Sequence, residues 1–201
     1  MDLMKMIKQA ISVLTNPKEA LKKAQSEQVA TMDIIIYLAI VGIPTLLGFI
    51  IGYGFFWWGS GGALLGAAAG SAIAYYIVAI IGIMAFGYIF NAFAPTFKSQ
   101  KNQMQAFKLV AYSATPWLLA GIFYLIPGVW FLVPLAGLYG LYILYIGIPI
   151  FMGTPQDQHI PYLLVSVVIY AVIMFVVWYI AEQIMWRLIW GSVWYGYGWR
   201  F

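Results

Sequence analysis

The chain has 201 residues, of which 64% are hydrophobic and 8% charged, and its formal net charge is +4. A soluble domain carries about 25% charged residues, so this composition cannot cover a surface exposed to water. The apolar runs are long and do not alternate with polar residues, which favours membrane-spanning helices over the strands of a barrel. The chain contains no cysteine, which excludes disulfides and thiolate metal sites.

Residues 1–30 are predicted to form two cytoplasmic helices at the membrane surface. In the first helix, apolar residues recur at helical spacing on the face opposite the lysines: Leu3, Met4, Ile7, Ile11 and Leu14. Asn16, Pro17 and Glu19 predict the N-cap, the first residue and a capping carboxylate of a second helix that runs to about Glu27. This second helix lies either on the membrane surface or on the ends of the spans.

The lysines of these two helices indicate contact with lipid headgroups. The alternative is that they act only as topology signals and have no partner. They are Lys5, Lys8, Lys18, Lys22 and Lys23.

Residues 31–190 predict five spans, so the expected fold class is an all-α transmembrane helix bundle. The spans lie at about Asp33–Phe56, Gly62–Phe93, Ala106–Leu125 and Val129–Met152, and from Pro161 to Ile180 or Glu182. Trp57 and Trp58, in the short link after the first span, are typical of the headgroup level, and the link predicts a tight hairpin of two spans. Residues 191–201 are predicted to form an aromatic interfacial tail.

The distribution of basic residues predicts the orientation in the membrane. Five lysines precede the first span and three lie between the second and third, whereas the links after the first and third spans have none. By the positive-inside rule the N-terminus is cytoplasmic, and five spans place the C-terminus outside the cell membrane. Arg187 and Arg200 lie on the opposite side and do not outweigh the lysines. The loop Gly153–Ile160 has no lysine or arginine and does not test this assignment.

Small residues recur every four positions at the start of the second span. Gly62, Gly66 and Gly70 leave one helix face almost without side chains, so another helix can approach closely. We favour packing within the chain, with a homo-oligomer interface as the alternative.

Hydroxyl groups cluster in the third and fourth spans around Pro116, which frees a backbone carbonyl. The cluster comprises Tyr112, Ser113, Thr115, Tyr139, Tyr142 and Tyr145. We favour hydrogen bonds from these groups to backbone carbonyls or to one another. A polar cavity between the two spans is the alternative.

Ionisable residues are nearly absent from the spans, which removes the usual carriers of proton coupling. Lys108 lies at a boundary, and Asp33 is predicted to cap the helix that begins the first span. No motif predicts a catalytic residue, a cofactor, a metal site or a nucleic-acid partner, so we expect a protein that is not an enzyme. We interpret the remaining ionisable groups as interfacial anchors or solvated side chains: Asp157, His159, Glu182 and Arg187.

Three ordered motifs resemble the Yip1 domain family, in particular its prokaryotic-type members. Thr15–Ala20 is similar to the family's "NP-x-E-A" helix start, and Ala111–Pro116 to the "AYS-x-x-P" of its third span. The stretch from Gly137 through Leu144–Gly147 to Met152–Pro155 resembles its fourth span, which ends at a "GTP" turn. The resemblance implies five spans and no catalytic residues.

The chain departs from the family pattern after that turn. Gln156 and Asp157 stand where many prokaryotic members have a basic residue and an alanine. Eukaryotic members bind prenylated Rab GTPases, but we do not carry that partner over, and the resemblance assigns no biochemical activity to prokaryotic members.

Two functions remain open from the sequence. The first is a non-enzymatic membrane protein of the Yip1 type that organises the membrane or binds lipids and partners. The second is a small-solute transporter or channel with a pathway between spans three and four. An intramembrane enzyme would require a cofactor or lipid substrate beside Asp33 or Glu182.

Overall fold

The computed structural model describes residues 2–57, 65–126 and 128–196. This part of the chain is helical and contains no strand. The helices are α1 Leu3–Thr15, α2 Pro17–Ser26, α3 Thr31–Val41, α4 Ile43–Ile51, α5 Leu65–Phe93, α6 Gln103–Ala120, α7 Leu132–Met152 and α8 His159–Gly196. Shorter segments are a π-helical turn, Gly52–Trp57, and the 3₁₀ turns Ala94–Phe97, Gly121–Leu125 and Gln156–Gln158.

Five stretches are long and apolar enough to cross a membrane, which confirms the predicted all-α bundle of five spans. They are Thr31–Phe56, Ala68–Phe97, Gln103–Leu125, Leu132–Met152 and Gln156–Ile184. The first span is broken between α3 and α4 at Gly42, a feature that the sequence analysis missed. Pro44 lies in the first turn of α4 and has no N–H for the preceding turn, which explains the break.

The fifth span rests on the second through a stack of three aromatic rings. The Tyr162 ring lies between those of Phe90 and Phe97, with centroid distances of 4.5 and 4.7 Å. The buried Tyr162 hydroxyl donates to the Phe90 carbonyl at 2.7 Å, so its polar end is satisfied inside the bundle. This stack anchors α8, in whose most apolar stretch only 11% of the residues are buried.

Close helix contacts form at glycines of the first, third and fourth spans. A Cβ atom at Gly48 would collide with the Gly121 carbonyl, and one at Gly121 would collide with Thr45. A Cβ atom at Gly140 would collide with the Ser113 carbonyl. Small residues therefore allow α4, α6 and α7 to approach to backbone contact.

At Gly66, the glycine face predicted on the second span makes no such contact with the described residues. Gly66 is exposed, and no described atom lies within 4 Å of the position of its Cβ atom. Gly70 is half-buried, and Gly62 and Trp58 lie outside the described residues. An interface with a second copy at this face stays a prediction.

Replacing Gly121 by alanine is expected to destabilise the bundle by about 1–3 kcal/mol, because the new methyl group must displace Thr45. The measurement is the apparent melting temperature in nanodiscs, followed by tryptophan fluorescence. Gly66→Ala is the control, since that position is open and alanine favours the helix. Equal melting temperatures for the two variants would contradict the assignment of the tight contact to Gly121.

Candidate functional site at the lysine-rich end of the bundle

Helices α1 and α2, the N-terminal hairpin, pack against the spans. Helix α1 contacts α6 and α3, and α2 contacts α7 and α6. Each helix buries one narrow face of apolar or small residues at helical spacing: Met6, Ala10 and Val13 from α1, and Ala20, Leu21 and Ala24 from α2. Of the two positions predicted for α2, the structure shows the one on the ends of the spans.

Lys108 joins the hairpin to the third span. Its ammonium group donates to the carbonyls of Ala24, Gln25 and Glu27 at 2.9, 3.0 and 2.9 Å. These carbonyls belong to the C-terminal end of α2, where backbone acceptors lack helical partners and the helix dipole is negative. Only 2% of Lys108 is exposed. The residue that the sequence analysis interpreted as a boundary charge is a helix cap, which we call the lysine latch.

Three further hydrogen bonds hold the hairpin. The Gln105 side chain donates to the Gln25 carbonyl at 3.0 Å, and the Gln25 side chain donates to the Ile150 carbonyl at 2.5 Å. The Tyr139 hydroxyl donates to the Leu14 carbonyl at the end of α1, at 2.8 Å. The third and fourth spans therefore fix both helices of the hairpin.

The loops 98–102 and 153–158 meet at the same end of the bundle. The Gln100 N–H donates to the Met152 carbonyl at 2.8 Å, and the buried hydroxyls of Ser99 and Thr154 lie 2.8 Å apart. Asp157, one of the residues that departs from the family pattern, pairs with Lys98 at 3.6 Å. The loop 153–158, which has no lysine or arginine and so did not test the orientation, thus lies beside the lysine-bearing loop 98–102.

Helix α1 has three faces rather than the two that were predicted. Met6, Ala10 and Val13 face the bundle, whereas a second apolar row is exposed beside them. This apolar row comprises Leu3, Met4, Ile7 and Ile11, each 42–58% exposed. Lys5 and Lys8 occupy the third face. Helix α1 therefore packs on the bundle with one apolar face and exposes a second apolar face.

The predicted caps of α2 and α3 have different outcomes. The Asn16 side chain makes no capping hydrogen bond to the backbone; its amide donates instead to the Glu19 carboxylate at 2.6 Å. The prediction for Asp33 is confirmed, since its carboxylate accepts from the Ala30 N–H at 2.9 Å and so caps α3.

The six hydroxyl-bearing residues contact different neighbours rather than one cavity. Thr115 bonds to the Tyr37 hydroxyl at 2.7 Å, and the Tyr112 ring packs edge-on against Tyr37. Ser113 donates to the Leu109 carbonyl of its own helix at 2.8 Å. Tyr139 reaches α1, while Tyr142 and Tyr145 are 50% and 38% exposed on the outside of α7. These positions give no support to a solute pathway between spans three and four.

A small cavity between the first and third spans is lined by Tyr37, Tyr112, Asp33 and Lys108, among others. Its volume of about 10 Å³ is near the minimum for one water molecule. It leaves no room for a solute or an organic cofactor.

His159 differs from the solvated side chain that was predicted. It is half-buried, and its ring nitrogen lies 2.9 Å from the Thr154 carbonyl, beside the ring of Tyr145. Glu182 accepts from the Trp186 indole N–H at 2.9 Å, and Arg187 is exposed. These contacts bring no group of reactive side chains together.

Replacing Lys108 by methionine is expected to release the N-terminal hairpin, because three backbone carbonyls lose a charged donor inside the protein. The cost is about 3 kcal/mol or more. Hydrogen–deuterium exchange in nanodiscs should show faster exchange over residues 3–26 with little change in the spans. The control is Lys101→Met, which removes an exposed lysine of the neighbouring loop. Unchanged protection of the hairpin in Lys108→Met would show that the latch does not hold it.

The comparison with known proteins agrees with this architecture. The family model of the Yip1 domain matches residues 11–180, from the middle of α1 into α8. The matched region includes most of the hairpin, the lysine latch and nearly all of the five spans. Neither the curated proteins nor the solved structures include a significant match. Because the family model covers most of the chain, this membrane protein belongs to the Yip1 domain family.

Proposed function

We propose that this Yip1-family protein is a non-enzymatic organiser of the membrane surface, and that it acts by holding α1 in the lipid interface. The observation that carries the proposal is the exposed apolar row of α1, Leu3, Met4, Ile7 and Ile11. The row lies on a helix that packs against α3 and α6 and is held to α7 through Tyr139.

The packing of α1 favours contact with lipid on physical grounds. A free amphipathic peptide must order its backbone when it binds a membrane. Helix α1 is already formed, and Tyr139 and α2 hold it in place. Full burial of a large apolar side chain contributes about 1.5–3 kcal/mol, and side chains that are 42–58% exposed contribute roughly half of that. Met4, Ile7 and Ile11 therefore favour burial in the interface.

We further propose that the lysine-rich end faces the cytoplasm in the cell membrane. The hairpin carries five lysines, and Lys98, Lys101 and Lys108 lie at the same end of the bundle. The contact between the loops 98–102 and 153–158 supports the assignment, because it joins the loop without lysine or arginine to the lysine-bearing one. This orientation places the C-terminus outside.

Neither alternative function gains an observation that favours it. Ser113, Thr115 and Tyr139 bond to separate neighbours. The cavity beside Tyr112 is too small for a solute. Self-association through Gly66 stays a prediction, and we assign no protein partner.

The proposal predicts that the apolar row of α1 is in lipid. Because the chain has no cysteine, single cysteines can be introduced and labelled with an environment-sensitive dye. We expect a dye at Ile7→Cys or Ile11→Cys in nanodiscs to shift to the blue and to be quenched by brominated lipid. Lys18→Cys, at an exposed position of α2, is the control and should remain in water. Equal exposure to water at all three positions would rule out insertion.

The orientation predicts which positions a membrane-impermeant maleimide reaches in intact cells. Trp130→Cys, in the exposed link between the third and fourth spans, should react from outside. Lys101→Cys and Gln156→Cys should react only after the membrane is permeabilised. The reverse pattern would show that the lysine-rich end faces outward.

A further inference from the structure

A polar groove separates α1 from α2 on the side of the hairpin that does not pack on the bundle. Its volume is about 310 Å³, which is at the lower end of the range for small-molecule sites. One row of side chains from each helix lines it, including Lys5, Lys8 and Ser12 on one wall and Glu19, Lys23 and Glu27 on the other. The groove is thus built from two helix faces at three- and four-residue spacing.

The two carboxylates of the groove have partners within the hairpin. Glu27 pairs with Lys5 at 3.2 Å, and Glu19 accepts from the Asn16 amide at 2.6 Å. Among the described residues, neither Lys8 nor Lys23 pairs with a carboxylate. Lys8 and Lys23 therefore contribute two positive charges that no ion pair neutralises, and the Glu19 carboxylate brings the net charge of the groove to +1.

Two ammonium groups without an acidic partner, one on each wall, and hydroxyl and amide donors in the same groove match the chemistry of a phosphate group. Lys8 and Lys23 supply the charge, Ser12 supplies a hydroxyl donor, and Gln9 bridges the two helices by donating to the Ala20 carbonyl at 3.5 Å. A phosphate monoester on a glycerol unit is of a size that this volume accommodates.

We propose that the groove between α1 and α2 binds the phosphate of an anionic ligand between Lys8 and Lys23. Lys8 lies only about 40–60° around the helix from Met4 and Ile11, so the wall that carries it borders the apolar row. This position favours a lipid headgroup as the source of the phosphate. The choice of lipid rests on the proposed insertion of α1, whereas the phosphate chemistry of the groove does not.

The test compares two variants with the same change of charge. Lys8→Gln/Lys23→Gln removes the groove lysines, and Lys18→Gln/Lys22→Gln removes two exposed lysines of α2 that do not line the groove. Native mass spectrometry from detergent measures binding of phosphatidic acid and of phosphatidylcholine with the same acyl chains. We expect one phosphatidic acid to bind in preference to phosphatidylcholine, and about 30-fold more weakly to the groove variant.

The control variant should keep that bound lipid. Equal losses in both variants would show diffuse surface charge, and equal binding of the two lipids would show no recognition of the phosphate monoester; either result overturns the proposal. Calorimetry with glycerol 3-phosphate identifies the source. If it binds as tightly as the lipid and depends on Lys8 and Lys23, the groove takes a soluble phosphate compound; if it does not bind, the ligand is the lipid.

Two controls keep the result interpretable. Hydrogen exchange over residues 3–26 should be unchanged in the groove variant, because its lysine latch is intact. The dye at Ile11→Cys, measured in the same variant, tests insertion separately. Insertion without binding of phosphatidic acid would reject the groove alone, and binding without insertion would reject the proposed function alone.

Discussion

The lysine latch is the interaction on which the arrangement of the lysine-rich end depends. A buried ammonium group without partners costs several kcal/mol, and the last carbonyls of a helix that ends inside a protein are also unsatisfied. Lys108 and the end of α2 remove both costs at once, with three hydrogen bonds of 2.9–3.0 Å. The Phe151 ring, 5.8 Å from the ammonium group, adds a favourable cation–π contact. The carbonyls at the end of α2 are therefore satisfied when the hairpin lies in this position.

The spans could be predicted because their signal is local, whereas the latch could not. An apolar run of about 20 residues indicates a span by its own length, and the five predicted spans agree with the structure. Lys108 caps carbonyls that lie 81–84 positions earlier in the chain, and nothing in the spacing of α6 identifies that partner. The sequence did contain one signal, a lysine near the polar end of the third span. Under the positive-inside rule this lysine was interpreted only as a topology signal.

The glycines show a related limit of sequence reasoning. A row of small residues shows that a helix can be approached closely, but the row does not identify the helix that approaches. Gly66 belongs to the most regular row in the chain and is exposed, whereas Gly48 and Gly121, which belong to no such row, are in backbone contact. Close packing requires small residues at matching heights on two helices, and this match depends on the tilt and rotation of both.

The contacts of the polar groups inside the bundle explain why the function is expected at the surface of the protein. An ionisable residue inside a membrane protein is by default a functional candidate, and the third span contains one in Lys108. Its three donors are all used by the end of α2, so it is not available for a solute or a proton pathway. Of the hydroxyls near Pro116, those of Ser113 and Thr115 are likewise bonded to neighbouring groups. What remains open is the outer side of the hairpin, where an apolar row and a polar groove lie on adjacent faces of one helix.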